Sequence, residues 1–144
     1  DAGQMAAASE VASELIEQSP HNPRSYQIYL RDLHLQSSAQ TAVEVGRQAV
    51  ERFPTNAKLR HQLAACLMET DLEEAERQQR NAVELRPKAF RMVKQLADIL
   101  CARNKPGEAA DMVAEIAARY DGEQRLKRLA RRYSRSLPTD GVTE

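Results

Sequence analysis

Tryptophan is missing from the 144-residue chain, and two Phe and four Tyr are its only Phe/Trp/Tyr-type aromatics. A platform of stacked aromatic rings for unpaired bases is therefore not available, which argues against single-stranded nucleic acid as a partner. Two cysteines, Cys66 and Cys101, are too few for a disulfide scaffold. Net charge is absent as well: 21 Lys+Arg balance 21 Asp+Glu, so no bulk field draws the chain to nucleic acid or to an anionic membrane. No run approaches the roughly 18–20 apolar residues of a membrane span. The chain opens on Asp1 with neither a basic segment nor a following apolar core, so no secretory leader is expected. The missing initiator Met suggests a fragment or a processed chain. The cytoplasm is the expected compartment, with the periplasm as the alternative for a piece of an exported protein.

Motifs that carry chemistry are missing too. There is no HExxH, CxxC, GxGxxG, GxxxxGK[ST] or GxSxG, and His21, His34 and His61 stand at no ligand spacing. Glu73 and Glu74 are adjacent carboxylates at a helix start, where the dipole favours them without any acid–base role. No metal, cofactor or catalytic residue is expected, and the chain reads as a non-enzyme.

What is present is helix. The six prolines (Pro20, Pro23, Pro54, Pro87, Pro106 and Pro138) separate Pro-free segments dominated by Ala, Leu, Glu, Arg and Gln, residues of strong helix propensity. Apolar spacing marks eight helices. Met5, Ala8, Ala12, Leu15 and Ile16 line the first, near 3–18, and Leu126, Leu129, Ala130, Tyr133 and Leu137 line the last. Asn56, Asp71 and Asp121 fall where N-caps are expected. Short loops imply antiparallel neighbours.

The helices recur in register. Ala8 returns as Ala42, Ala75 and Ala109, Leu15 as Ala49, Ala82 and Ile116, and Pro20 as Pro54, Pro87 and Asp121, in steps of 34, 33 and 34 residues. Three columns sharing one period of paired helices mark a solenoid. Small residues early and seven positions later in the second helix, followed by proline, together with Leu63-Ala64-Leu67 and Leu96-Ala97-Leu100 in the first, resemble the tetratricopeptide repeat. Tyr26, Arg60 and Val93 occupy the column where that family often carries Trp, Leu30 stands where a small residue is usual, and Gly46 and Gln79 replace a large apolar residue.

The resemblance implies an all-α, right-handed solenoid of antiparallel helix pairs, with another helix-pair solenoid as the runner-up. Residues 1–137 would form one domain: a helix at 3–18, units at about 23–55, 56–88 and 89–121, and a capping helix at 122–136. Residues 138–144 would be a flexible tail. It further implies that the first helices line a concave groove. Those positions carry Arg24, Gln27, Arg31 and His34; Lys58, His61 and Gln62; Arg91, Lys94 and Gln95; and Arg125, Arg128 and Arg132. From Arg119 to Ser136 seven Arg/Lys face only Asp121 and Glu123. A groove of one sign attracts an opposite ligand, arginine forks grip carboxylates, and the three glutamines are placed to bond an extended backbone. The expected partner is an acidic peptide or acidic protein surface. The Lys/Asn/Arg clamp that some family members use on a terminal carboxylate is not expected, because no first helix carries Asn in its body. The alternative is a spacer or homo-oligomerising segment of a larger secretion, envelope or polysaccharide-export protein. Nucleic acid and membrane are not expected partners.

Overall fold

The computed structural model describes residues 2–36 and 38–137. The expected tail at 138–144 lies outside the described residues, as do the side chains of Met5 and Ala8. Eight helices follow in order: α1 (Ala2–Gln18), α2 (Pro23–Leu35), α3 (Ala39–Arg52), α4 (Ala57–Leu67), α5 (Leu72–Leu85), α6 (Phe90–Ala102), α7 (Pro106–Arg119) and α8 (Gln124–Ser136). No strand occurs among the described residues, and no helix among them is long and apolar enough to cross a membrane.

Local chemistry sets the helix starts. Asn56 and Asp71 accept from the Leu59 and Glu74 amides at 3.0 and 3.1 Å, two of the three expected caps. Asp121 is not the third. α8 begins at Gln124, and Asp121 instead forms an ion pair with Lys127. Asn22 caps α2 ahead of Pro23 at N1, where the missing amide costs nothing.

Each helix packs on the next, and the small-residue columns are the seams. Ala42, Ala75, Ala109, Ala49 and Ala82 are wholly buried, and Ile116 nearly so. Two contiguous apolar clusters result. One spans α2 to α5 and takes in Ile99, and the other joins the ends of α4 and α5 to α6, α7 and α8. The tryptophan column is filled three ways. Tyr26 packs edge-on to Phe53 (centroids 5.7 Å apart). The Arg60 guanidinium bridges Pro54 O and Gln78 Oε1. Val93 is wholly buried.

Inner and outer sides differ. Beyond sequential neighbours, α2 packs on α4 and α6 on α8, whereas α4 and α6, α3 and α5, and α5 and α7 stand further apart. The gap between second helices is spanned by long charged side chains in register. Arg47 on α3 grips both carboxylate oxygens of Glu74 on α5, and Arg80, 33 residues on, reaches Glu108, 34 residues on, on α7. Glu76 collects Arg80, Arg103 and Lys105. Burial alone would push its carboxyl up, but Arg80 first, then Arg103 and Lys105, hold it below the ordinary value.

Candidate functional site

The residues expected to line a groove lie on α2, α4, α6 and α8, and the structure divides them into two kinds. Gln27, Gln62 and Gln95 hold the solenoid together. The Gln62 amide donates to Gln27 O and the Gln95 amide to His61 O, both at 2.9 Å, while Gln27 reaches Asn56 Oδ1 at 3.4 Å. Each amide thus spends an N–H on tying a first helix to its neighbour. His61 also faces inward. Its Nδ1 lies 3.1 Å from Gln79 Nε2, and Gln79 donates to Met92 O at 2.8 Å and accepts from Gln95. Gln79 therefore earns its place in an apolar column through three bonds made at zero exposure.

Burial holds the His61 pKa below the ordinary 6.5, with Arg91 and Lys58 adding to the effect against the Gln79 bond. The unfolded chain then takes up a proton near pH 6.5 that the folded protein refuses until lower pH. This contribution to stability is complete above about 6.5 and is lost as pH falls below it. Thermal melts followed by circular dichroism are expected to show Tm falling between pH 7.5 and 5.5. His61→Gln should flatten that slope, and a slope unchanged in the variant would count against the assignment.

The remaining positions are cationic and unevenly free. Arg31 contacts Asp32 at 3.4 Å, Lys94 is paired with Asp98 at 3.0 Å, and the His34 ring lies 3.8 Å from Cys66 Sγ. Arg24, Lys58 and Arg91 are exposed on α2, α4 and α6. The largest free charge is at the C-terminal end, where Arg125, Arg128 and Arg132 form no ion pair among the described residues. With Phe90 and Leu129 they line an open cavity of about 230 Å³, and the Arg125 guanidinium lies 4.2 Å from the Phe90 ring centroid. α8 is fixed there by Tyr133, whose hydroxyl donates to Asp98 Oδ1 at 2.8 Å. Burial, then that bond, raises the Tyr133 pKa, so the phenol stays a donor. Phe90, the apolar floor, was not anticipated, since sequence places it at a helix start rather than in the groove. An arginine 35 residues downstream was its only signal.

Chemically, the cavity sets three guanidinium donors around an apolar floor. Little here suits catalysis. The Cys66 thiol is pushed up to about 11 by burial, then by Glu69, and Cys101 is raised by burial and Asp98, so neither is a thiolate at neutral pH. No group of three metal-ligating side chains gathers among the described residues.

No family model and no curated protein matches the chain. Solved structures do. It is similar to residues 41 to the end of MamA from Desulfovibrio magneticus RS-1 (TM-score 0.72, 16% identity, 84% of this chain and 69% of that one). It is similar to a thermophilic TPR protein of Thermus thermophilus (0.75, 16%, 91% and 73%). A third is YrrB, described as a TPR protein with an unusual peptide-binding site (0.70, 15%, 90% and 67%). The repeating columns, the helix pairs and these superpositions together give this chain the fold of a tetratricopeptide-repeat solenoid.

Proposed function

We propose that the chain is a non-enzymatic interaction scaffold that binds an acidic peptide, or an acidic segment of another protein, on its inner surface at the α6–α8 end. The observation that carries this reading is the unpaired Arg125–Arg128–Arg132 set around the Phe90–Leu129 floor. The peptide-binding description of YrrB, a protein of the same fold, supports it. So does economy: a preformed groove spares the protein the cost of ordering itself on binding. Inner cations elsewhere (Arg24, Lys58 and Arg91) would extend the track, whereas Arg31 and Lys94 are partly spent on Asp32 and Asp98.

The test is fluorescence anisotropy with a labelled 12-residue peptide of Glu and Leu, against a Lys and Leu control. The acidic peptide is expected to bind and to weaken with salt. Arg128→Glu together with Arg132→Glu should weaken it by roughly 100-fold or more, since each charge-assisted bond contributes about 1.5–3 kcal/mol. Unchanged circular dichroism would show that the fold survives. Equal binding of acidic and basic peptides, or full affinity in the double variant, would end the proposal.

A further inference from the structure

The zero net charge conceals a polar distribution. Residues 1–23 contain no Lys or Arg but carry Asp1, Glu10, Glu14 and Glu17, whereas residues 124–137 contain no Asp or Glu and carry five Arg and one Lys. These stretches hold α1 and α8, the first and last of the eight described helices. α1 packs inward through Ala12 and Ile16, leaving Glu10, Glu14 and Glu17 exposed as a stripe on its outward side. α8 packs inward through Leu126 and Leu129, leaving Arg128, Arg131 and Arg135 exposed in the same way. None of these six side chains forms an ion pair among the described residues.

We propose that the acidic stripe of α1 in one copy docks on the arginine stripe of α8 in a second copy, so that the solenoids associate head to tail. Each stripe runs over eight residues, seven steps or about 10.5 Å of helix at 1.5 Å per residue. Laid antiparallel, as successive helices of the fold already are, Glu10 meets Arg135, Glu14 meets Arg131 and Glu17 meets Arg128. The contact has an apolar part as well. Val11 and Leu15 beside the stripe are 57% and 36% exposed, although Ala49 and Ala82, which repeat Leu15, are wholly buried. The methylene stems of the facing arginines cover them. Because the two surfaces differ and lie on the first and last of these helices, the contact is heterologous and builds assemblies of more than two copies rather than a self-closing pair.

This goes beyond the peptide groove and shares only Arg128 with it, so the variants that test it leave Arg125, Arg128 and Arg132 in place. Sedimentation equilibrium of the 144-residue chain at low ionic strength is expected to give an average mass that climbs with concentration past two chains. It should return to that of one chain, 16.2 kDa, at about 1 M salt, where the screening length is ~3 Å. Glu10→Gln, Glu14→Gln and Glu17→Gln together should weaken association at least tenfold and leave binding of the Glu/Leu peptide unchanged. Two charge reversals supply the complement: Glu10→Arg with Glu14→Arg, and Arg131→Glu with Arg135→Glu. Each alone is expected to stay monomeric, and the equimolar mixture to associate. A chain that stays at 16.2 kDa at low salt and high concentration, a mass that stops at two chains, Gln variants that associate normally, or reversed variants that ignore each other would each overturn the proposal.

Discussion

Gln79→Ala is expected to lower the unfolding free energy by roughly 3–5 kcal/mol, and Gln79→Leu by about 1–3 kcal/mol. The alanine opens a cavity at a site with no exposure and takes the Gln79 partner from His61 Nδ1 and from one Gln95 N–H. A buried polar group left alone costs about 1–3 kcal/mol, and truncating a large core side chain adds a cavity cost of similar size. Leucine fills the space and restores the residue type usual in that column, so only the stranded polar groups remain. Gln95 keeps its bond to His61 O in both variants. Urea unfolding followed at 222 nm, with the exposed Gln48→Ala as a control, reads the difference. A Gln79→Leu protein more stable than the parent would show the polar cluster to be a burden rather than a support.

Gly46→Leu is expected to cost about 2–4 kcal/mol, although removing a helix-interior glycine normally stabilises by about 0.5–1 kcal/mol. A Cβ built at Gly46 meets Leu63 Cδ1 at 2.8 Å and Leu63 Cβ at 3.3 Å. Leu63 is itself wholly buried and has no room to retreat, so the larger residue forces α3 and α4 apart. Leu63→Ala alone should cost about 2–5 kcal/mol. The pair Gly46→Leu with Leu63→Ala exchanges volume across the same seam. Its loss should fall short of the sum of the single losses by more than about 1 kcal/mol, as expected for residues in contact. Strict additivity would mean that the two side chains do not compete for one space.

These two positions also mark what the sequence could and could not reveal. The alanine and proline columns fixed the period, because a seam between close helices tolerates only small residues wherever it recurs. Gly46 and Gln79 looked like defects in that pattern. Each is compensated by a residue in the following first helix, Leu63 or the Gln95–Met92 pair, and a periodic reading does not tell which neighbour does so. The same holds on the inner surface. Register places Gln62 and Gln95 on the right helices, but the tilt between neighbouring units decides whether an amide meets a ligand or the carbonyl of the helix beside it. Asn56 and Asp71 were legible as caps because capping is local. Asp121 failed because α8 starts three residues beyond it, after a turn whose length the spacing does not fix.

The two sides of the array are held by different forces, and this governs how it responds to salt. Hydrocarbon contact along α2–α4 and α6–α8 makes the inside a short-range seam that resists separation but is indifferent to dissolved ions. The outside is strapped by guanidinium–carboxylate tethers such as Arg47–Glu74 and Arg80–Glu108, which ions weaken. Rising salt is therefore expected to loosen the tethered side of the array before the apolar one.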